Sequence, residues 1–232
     1  MNHKHTSSTE SQLLKIFLRA KSKDYFCQEI KAGEKIFSLE KPQQNISFSL
    51  EGVVKLSRID CVGRETFIGL LPEKSFLGLS LLLDKSESSY RAVAQTPVTL
   101  ISTTITQFRQ KLQESPQLWT PIFYQALSRS LTAQMTIESR LLKTSEARLV
   151  AFLLVLCQDF GVETATGIKI KLKLTHQNLA DWTYINRPCV TKILGQLRQR
   201  QIVSIEQQQI TLHNPDVLRQ YFNIPSYLST KK

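Results

Sequence analysis

Residues able to do chemistry concentrate between Lys169 and Arg200, where seven Lys or Arg stand against a single acid, Asp181. Two short segments there open on hydrogen-bonding residues, Thr175-His176-Gln177 and Asn186-Arg187-Pro188-Cys189. Thr175 and Asn186 are the residue types whose side-chain oxygen satisfies an orphan amide at a helix start. Arg187 offers a planar fork of donors that matches a phosphate or a guanine edge. Lys173, His176, Gln177, Thr191 and Lys192 add point charges and smaller polar groups around it. Such a set suits an anionic surface patterned with donors and acceptors, which is what a nucleic acid presents. It does not suit catalysis: no Gly-x-Ser-x-Gly elbow, P-loop or metal-ligand spacing occurs. No enzyme, catalytic residue or metal site is expected.

The elements that must position these residues follow from periodicity. Thr175–Trp182 reads as a short helix with Leu179 and Trp182 inward and Ala180 small where a second helix crosses. A turn, Thr183-Tyr184-Ile185, leads to a second helix from Arg187 to about Arg198, with Pro188 in the first turn, where no intrahelical bond is lost. Val190, Ile193, Leu194 and Leu197 form its buried stripe, leaving Arg187, Cys189, Thr191 and Lys192 outside. This is a helix-turn-helix whose second helix fits a DNA major groove, N-terminal end first. Tyr184 stands where such a turn usually has Gly, because a left-handed backbone costs other residues ~1 kcal/mol or more. Ser145–Asp159 is a very apolar helix with Gly161 as its stop. Residues 168–174 alternate as an edge or half-exposed strand with lysines on the wet face, and 202–205 with 209–212 form a small hairpin. Helix, strand, two helices and hairpin are the order of a winged helix.

Upstream the texture changes. From about Ile30 to Ile105, short alternating runs at 46–50, 54–59, 66–70 and 98–102 predict an all-β barrel or sandwich. From about Pro116 to Leu142, Phe123, Leu127, Leu131 and Met135 recur four apart and predict one long amphipathic helix, with Pro121 in its first turn or at an earlier break. That helix either packs on its own barrel or pairs with its twin across a dimer axis. The fold class is therefore α+β. Its expected divisions are a polar tail and short helix over 1–25, a β-domain over 26–115, the helix over 116–142, the winged helix-turn-helix over 143–218, and a tail over 219–232.

The whole chain fits this reading. With 41% apolar residues it can bury a core, and its net charge of +11 favours a polyanionic partner. The longest apolar run, Leu149–Cys157, is about half a membrane span, so no membrane partner is expected, and residues 1–12 lack a signal peptide's apolar centre. Cys27, Cys61, Cys157 and Cys189 are scattered, without a C-x-x-C pair, as free thiols in a reducing compartment would be.

Arg187-Pro188-Cys189-Val190-Thr191-Lys192-Ile193-Leu194-Gly195-Gln196-Leu197-Arg198 carries a resemblance, supported by Leu149–Val162 and Leu172–Gln177. Over nearly its full length the chain resembles the cyclic-AMP receptor/FNR superfamily of transcription regulators, and within it the global nitrogen-control regulators (NtcA type) of cyanobacteria and red-algal plastids. The resemblance implies an N-terminal β-roll effector domain of the cyclic-nucleotide-binding kind, a long dimerisation helix and a C-terminal winged helix-turn-helix. The expected partners are double-stranded DNA at a palindromic site, a second copy of the chain and RNA polymerase. Pro188 replaces the superfamily's base-reading Glu, Cys189 replaces Thr, Lys192 replaces Arg, and the hairpin tip Gln207-Gln208-Gln209 lacks the lysines common in relatives.

Effector residues follow from the same resemblance. Phe76, Leu77, Gly78 and Leu79 match the pocket segment, and Leu79 in place of a ribose-binding Glu argues against cyclic AMP. Arg91 aligns with a phosphate-gripping Arg, while its plain alternative is a surface arginine pairing a carboxylate. Arg129 and Gln134 match positions on the long helix, whereas Ser88 stands where the nitrogen-control group has an Arg for 2-oxoglutarate. The expected effector is a small anion, with 2-oxoglutarate the candidate and a weak response favoured. Histidine occurs only at 3, 5, 176 and 213, and Cys27 is alone in the N-terminal region, so haem and iron–sulfur sensing are excluded. Lys-, Gln- and Ile-rich composition points to a plastid-encoded protein of the stroma, with a cyanobacterial cytoplasm as the alternative. A protein of the same fold that has lost DNA reading is the rival function.

Overall fold

The computed structural model describes residues 25–38, 44–83 and 90–225. The tail expected at the N-terminus (1–24), Ser88 and residues 226–232 lie outside the described residues. The chain divides into two compact units between Ser130 and Leu131.

The first unit contains β1 (Phe26–Ile30), β2 (Lys35–Phe37), β3 (Asn45–Glu51), β4 (Val54–Ile59), β5 (Glu65–Leu71), β6 (Phe76–Leu77), β7 (Tyr90–Ala94) and β8 (Val98–Thr104). They form two antiparallel four-stranded sheets, ordered β1-β8-β3-β6 and β2-β7-β4-β5. Alternation does the sorting, since successive side chains face opposite sides of a strand. Val54 pairs Ala94 and Leu56 pairs Ala92 across β4 and β7, which puts these four on one face. They join Leu71, Leu77, Val98 and Leu100 in one apolar cluster, and Ile46, Phe48, Phe76 and Ile101 build a second. Gly52, in the expected turn, has φ +86°, and a Cβ there would lie 2.1 Å from the Pro97 carbonyl oxygen. Only glycine meets both demands.

Helix α1 (Ile105–Glu114), at the end of the β-domain expected over 26–115, starts at a capping box between Thr104 and Gln107 and buries Phe108 and Leu112 on the second cluster. A 3₁₀ turn, Pro116–Leu118, precedes α2 (Trp119–Leu141), the long helix, with Pro121 in its first turn. Its outer stripe is uncovered: Trp119, Phe123, Leu127 and Leu131 are all exposed, whereas Met135 is half-buried and receives a 3.4 Å contact from Gln158 Nε2.

In the second unit α3 (Ser145–Phe160) is capped by Thr144, and none of its residues from Leu149 to Cys157 is more than 5% exposed. Each such large apolar side chain contributes roughly 1.5–3 kcal/mol. Gly161 does end α3, though not by a left-handed turn: its φ is −80°, and a Cβ would meet the Cys157 carbonyl oxygen at 2.3 Å. Close approach is the reason for glycine here. β9 (Gly161–Thr164) and β10 (Gly167–Ile170) pair, and β11 (Val203–Glu206) and β12 (Gln209–Leu212) complete a sheet ordered β11-β12-β10-β9. The strand expected over 168–174 is therefore shorter, and interior to the sheet, because β9 takes the edge. A further helix, α6 (Pro215–Tyr221), spans the position where a tail was expected to begin. Among the described residues no helix is long and apolar enough to cross a membrane.

Candidate nucleic-acid interface

Helix α4 (His176–Thr183) begins where a side chain closes its open amides. Thr175 Oγ1 accepts from the Asn178 amide at 3.0 Å, and Asn178 Oδ1 accepts from the Thr175 amide at 3.1 Å. This reciprocal pair is a capping box, with Asn in the returning role. Helix α5 (Arg187–Gln199) begins at Asn186, whose Oδ1 accepts from the Cys189 amide at 2.9 Å, with Pro188 in its first turn. Leu179, Ala180 and Trp182 of α4 and Val190, Ile193, Leu194 and Leu197 of α5 are buried, and Phe152 of α3 meets the Trp182 ring edge-on at 6.2 Å. Packing these stripes fixes which side of α5 looks outward.

The outward side is polar and cationic. Lys171, Lys173, Arg187, Thr191, Lys192, Arg198 and Arg200 are exposed, and Cys189 and His176 are half-buried. His176 Nδ1 lies 2.8 Å from Thr191 Oγ1, and that hydroxyl donates to the Arg187 carbonyl oxygen at 3.1 Å. Gln177 Nε2 donates to Asp181 at 2.7 Å. Leu174, Thr175, His176, Gln177, Arg187 and Gln208 are among the residues lining an open cleft of about 510 Å³ between the helix starts and the hairpin tip. The tip is a two-residue turn with Gln207 at φ 48° and Gln208 at φ 65°, seated on the approach to α4 by a 2.7 Å bond from the Leu174 amide to the Gln208 carbonyl. Lys173, Thr175, His176, Gln177, Asn186, Arg187, Pro188, Cys189, Thr191 and Lys192 thus all belong to α4, α5 or the segment entering them. Asn186 and Thr175 hold the helix starts.

Tyr184 adopts the left-handed backbone, φ 55° and ψ 38°, and its amide donates to the Ala180 carbonyl. The turn keeps the geometry for which Gly is usual, and the bulky side chain is braced instead. The Arg140 guanidinium, in the last turn of α2, stacks 4.9 Å from the Tyr184 ring centre, and its Nε donates to the Trp182 carbonyl oxygen at 3.1 Å. Burial lowers the Arg140 pKa from its ordinary value, against an opposing effect of Tyr184. Inside the same turn the Thr183 hydroxyl, fully buried, donates to the Leu179 carbonyl oxygen.

In the first unit Phe76 and Leu77 are buried, Gly78 has φ +87°, and Leu79 opens a 3₁₀ helix and packs on the Phe48–Phe76 cluster. Arg129 donates to the Leu70 carbonyl at 3.4 Å and to the Ser75 hydroxyl. Arg91 lies one residue from Ala92 and so on the opposite face of β7, paired with Glu65 at 3.2 Å. Glu65 also takes Lys55 at 2.7 Å. Burial pushes the Glu65 carboxyl up, but the Lys55 hydrogen bond and the Lys55 and Arg91 charges outweigh it and hold it below its ordinary value. Gln134 is exposed. The sequence reading missed Gln125, which accepts from the Phe76 amide and donates to the Lys74 carbonyl, both at 2.7 Å. A polar pair four apart on α2, Gln125 and Arg129, was the available signal.

Two domain families match: residues 27–115 the cyclic nucleotide-binding domain, and 147–221 the Crp-like helix-turn-helix domain. The global nitrogen regulator of Nostoc sp. is 43% identical over 189 residues, spanning 81% of this chain and 85% of the relative. The global nitrogen regulator of Synechococcus elongatus is 38% identical, over 84% and 89%. The chain belongs to the global nitrogen regulator family. Solved structures share the fold: a CooA mutant from Carboxydothermus hydrogenoformans superposes with a TM-score of 0.70 at 18% identity, covering 90% of this chain and 95% of that one. A CRP/FNR-family regulator from Thermus thermophilus superposes with a TM-score of 0.63 at 24% identity, covering 85% and 98%.

Within this family fold the Tyr184–Arg140 brace makes a measurable demand. Tyr184→Gly removes a left-handed penalty of ~1 kcal/mol and a cation–π contact of similar size, so its net effect on chemical denaturation should be under about 1 kcal/mol. Arg140→Ala should then destabilise the wild type more than the Tyr184→Gly background, by about 0.5–1 kcal/mol in the double-mutant cycle. Equal losses in both backgrounds would leave the ring contact without energetic weight.

Proposed function

We propose that the protein is a sequence-specific DNA-binding transcription regulator, acting as a homodimer on a palindromic promoter site and controlling nitrogen-assimilation genes. One observation carries this reading. The N-terminal half of α5 stands outward on a packed helix pair, with Arg187, Thr191 and Lys192 exposed and lysines 171 and 173 exposed in the segment entering α4. Such a helix presents its donors and positive dipole end to the edges and phosphates of a groove. Identity to proteins named global nitrogen regulators supports the regulon, and RNA polymerase is the further partner of this proposal. The exposed stripe Phe123, Leu127 and Leu131 on α2 supports the dimer. Lys-, Gln- and Ile-rich composition favours the plastid stroma.

The effector reading is a small anion, and 2-oxoglutarate is its first candidate. Arg129 already serves Leu70 and Ser75, and Arg91 already serves Glu65. A dicarboxylate would have to take these cations from existing bonds, since buried carboxylates need paired charges. A weak response follows. Calorimetry should detect no low-micromolar binding of 2-oxoglutarate, and DNA affinity should change less than about two-fold; tight binding would overturn this account.

DNA reading is tested by comparing two cations. Arg187→Ala should cost ~1–3 kcal/mol on the selected site and little on random DNA, because it removes base readout. Lys173→Ala should weaken both alike and flatten the salt dependence. Equal losses for Arg187→Ala on both probes would reduce Arg187 to a phosphate contact.

The dimer is tested by charge. Light scattering should give twice the chain mass for the wild type at micromolar concentration. Leu127→Asp with Leu131→Asp should give a monomer with unchanged circular dichroism and affinity only for a half-site. A monomeric wild type, with or without DNA, would remove the dimer.

A further inference from the structure

Thr191 is exposed on α5 one helical turn after Arg187, so the two share a face. Its hydroxyl proton is used within the protein. Oγ1 donates its single proton to the Arg187 carbonyl oxygen at 3.1 Å, and His176 Nδ1 stands 2.8 Å from Oγ1. Both contacts are satisfied together when the imidazole carries its proton on Nδ1 and gives it to Oγ1, because a hydroxyl has one donor and two lone pairs. If the proton pointed at His176 instead, it would still be spent inside the molecule. In neither arrangement does Thr191 have a proton to give a base. What it can still turn toward a ligand is one lone pair, of use only to a base amino group, and its Cγ2 methyl.

A major-groove edge offers donors, acceptors and one apolar group, the C5 methyl of thymine. A methyl held at a fixed place on the reading face selects that apolar group and gives nothing to the polar ones. We infer that Thr191 reads a thymine methyl by apolar contact, and that His176 is the positioning residue that keeps the Thr191 hydroxyl turned inward. The inference rests on the DNA reading proposed above and names what one position of the helix recognises. It also assigns His176 work within the protein rather than at a phosphate. The helix thus pairs a charged reader, Arg187, with an apolar one.

The test uses the full-length protein and the site that it selects from a random library. Each thymidine of the half-site is replaced in turn by deoxyuridine, which removes only the C5 methyl. At one position the wild type should bind the deoxyuridine probe about four-fold more weakly, the value of one buried methyl(ene). Thr191→Val keeps the methyl, drops the hydroxyl and should preserve this preference. Thr191→Ser keeps the hydroxyl, drops the methyl and should abolish it. His176→Ala should shrink the thymidine-over-deoxyuridine ratio measured on two otherwise identical probes. Loss of the preference in Thr191→Val, its survival in Thr191→Ser, or a wild type indifferent to every replacement would overturn the inference. An unchanged ratio in His176→Ala would remove the role given to His176. Failure of the library to yield any site would instead overturn the DNA reading beneath it.

Discussion

The orientation of the reading helix depends on one residue held in an uncommon backbone conformation. α4 and α5 are separated by only three residues, Tyr184 to Asn186, and the chain must reverse between them while both keep their apolar stripes on α3. A left-handed residue does this in the least length, and Tyr184 supplies it at φ 55°. Glycine would do so without strain. With tyrosine the conformation persists because its surroundings over-determine it: Ile185 is buried behind it, the amide is bonded to Ala180, and Arg140 covers the ring. The aim of α5 is thus set by contacts that lie off the reading surface.

Electrostatics act on a different scale. The surplus of positive charge is long-ranged and screened by salt, and it brings a polyanion to the right face without choosing a sequence. Choice, on the proposed reading, belongs to the short-range geometry of the first two turns of α5, where the Asn186 cap and Pro188 settle the helix start to the residue. In the first unit the same chemistry has the opposite use. Arg91 and Lys55 share the Glu65 carboxylate on a sheet face, and Arg129 ties α2 to the Leu70 and Ser75 segment. There, charge is spent on holding strands and helix together.

What could be read from the sequence was what is local. The caps at Thr175 and Asn186, the stripe of Val190, Ile193, Leu194 and Leu197, and the alternation of β3, β4 and β8 each declare themselves within a few residues. The demand for a left-handed residue at Tyr184 was legible too. Its answer, Arg140, was not, because 44 residues of chain separate them and nothing near Arg140 announces a ring. β9 escaped because Gly161 reads as a helix stop, and a four-residue strand paired through a tight turn leaves almost no period. The side of β7 on which Arg91 stands needed its neighbours, Ala92 and Ala94, to be seen in the core. Family resemblance gave Arg91 an effector role; strand alternation sets it on the face opposite Ala92, beside Glu65.

The four cysteines carry free thiols in very different settings. Cys157 sits in the middle of the second unit, and burial pushes its pKa up to about 12, so almost none of it is thiolate at neutral pH. Alkylating reagents attack the thiolate, and they must also reach it. Cys157 therefore reacts only when the core around α3 opens, whereas Cys27 and Cys61 lie exposed. The chain carries a built-in clock for its own unfolding: the labelling rate at Cys157, set against that of the exposed pair, measures how often the platform beneath the reading helix comes apart.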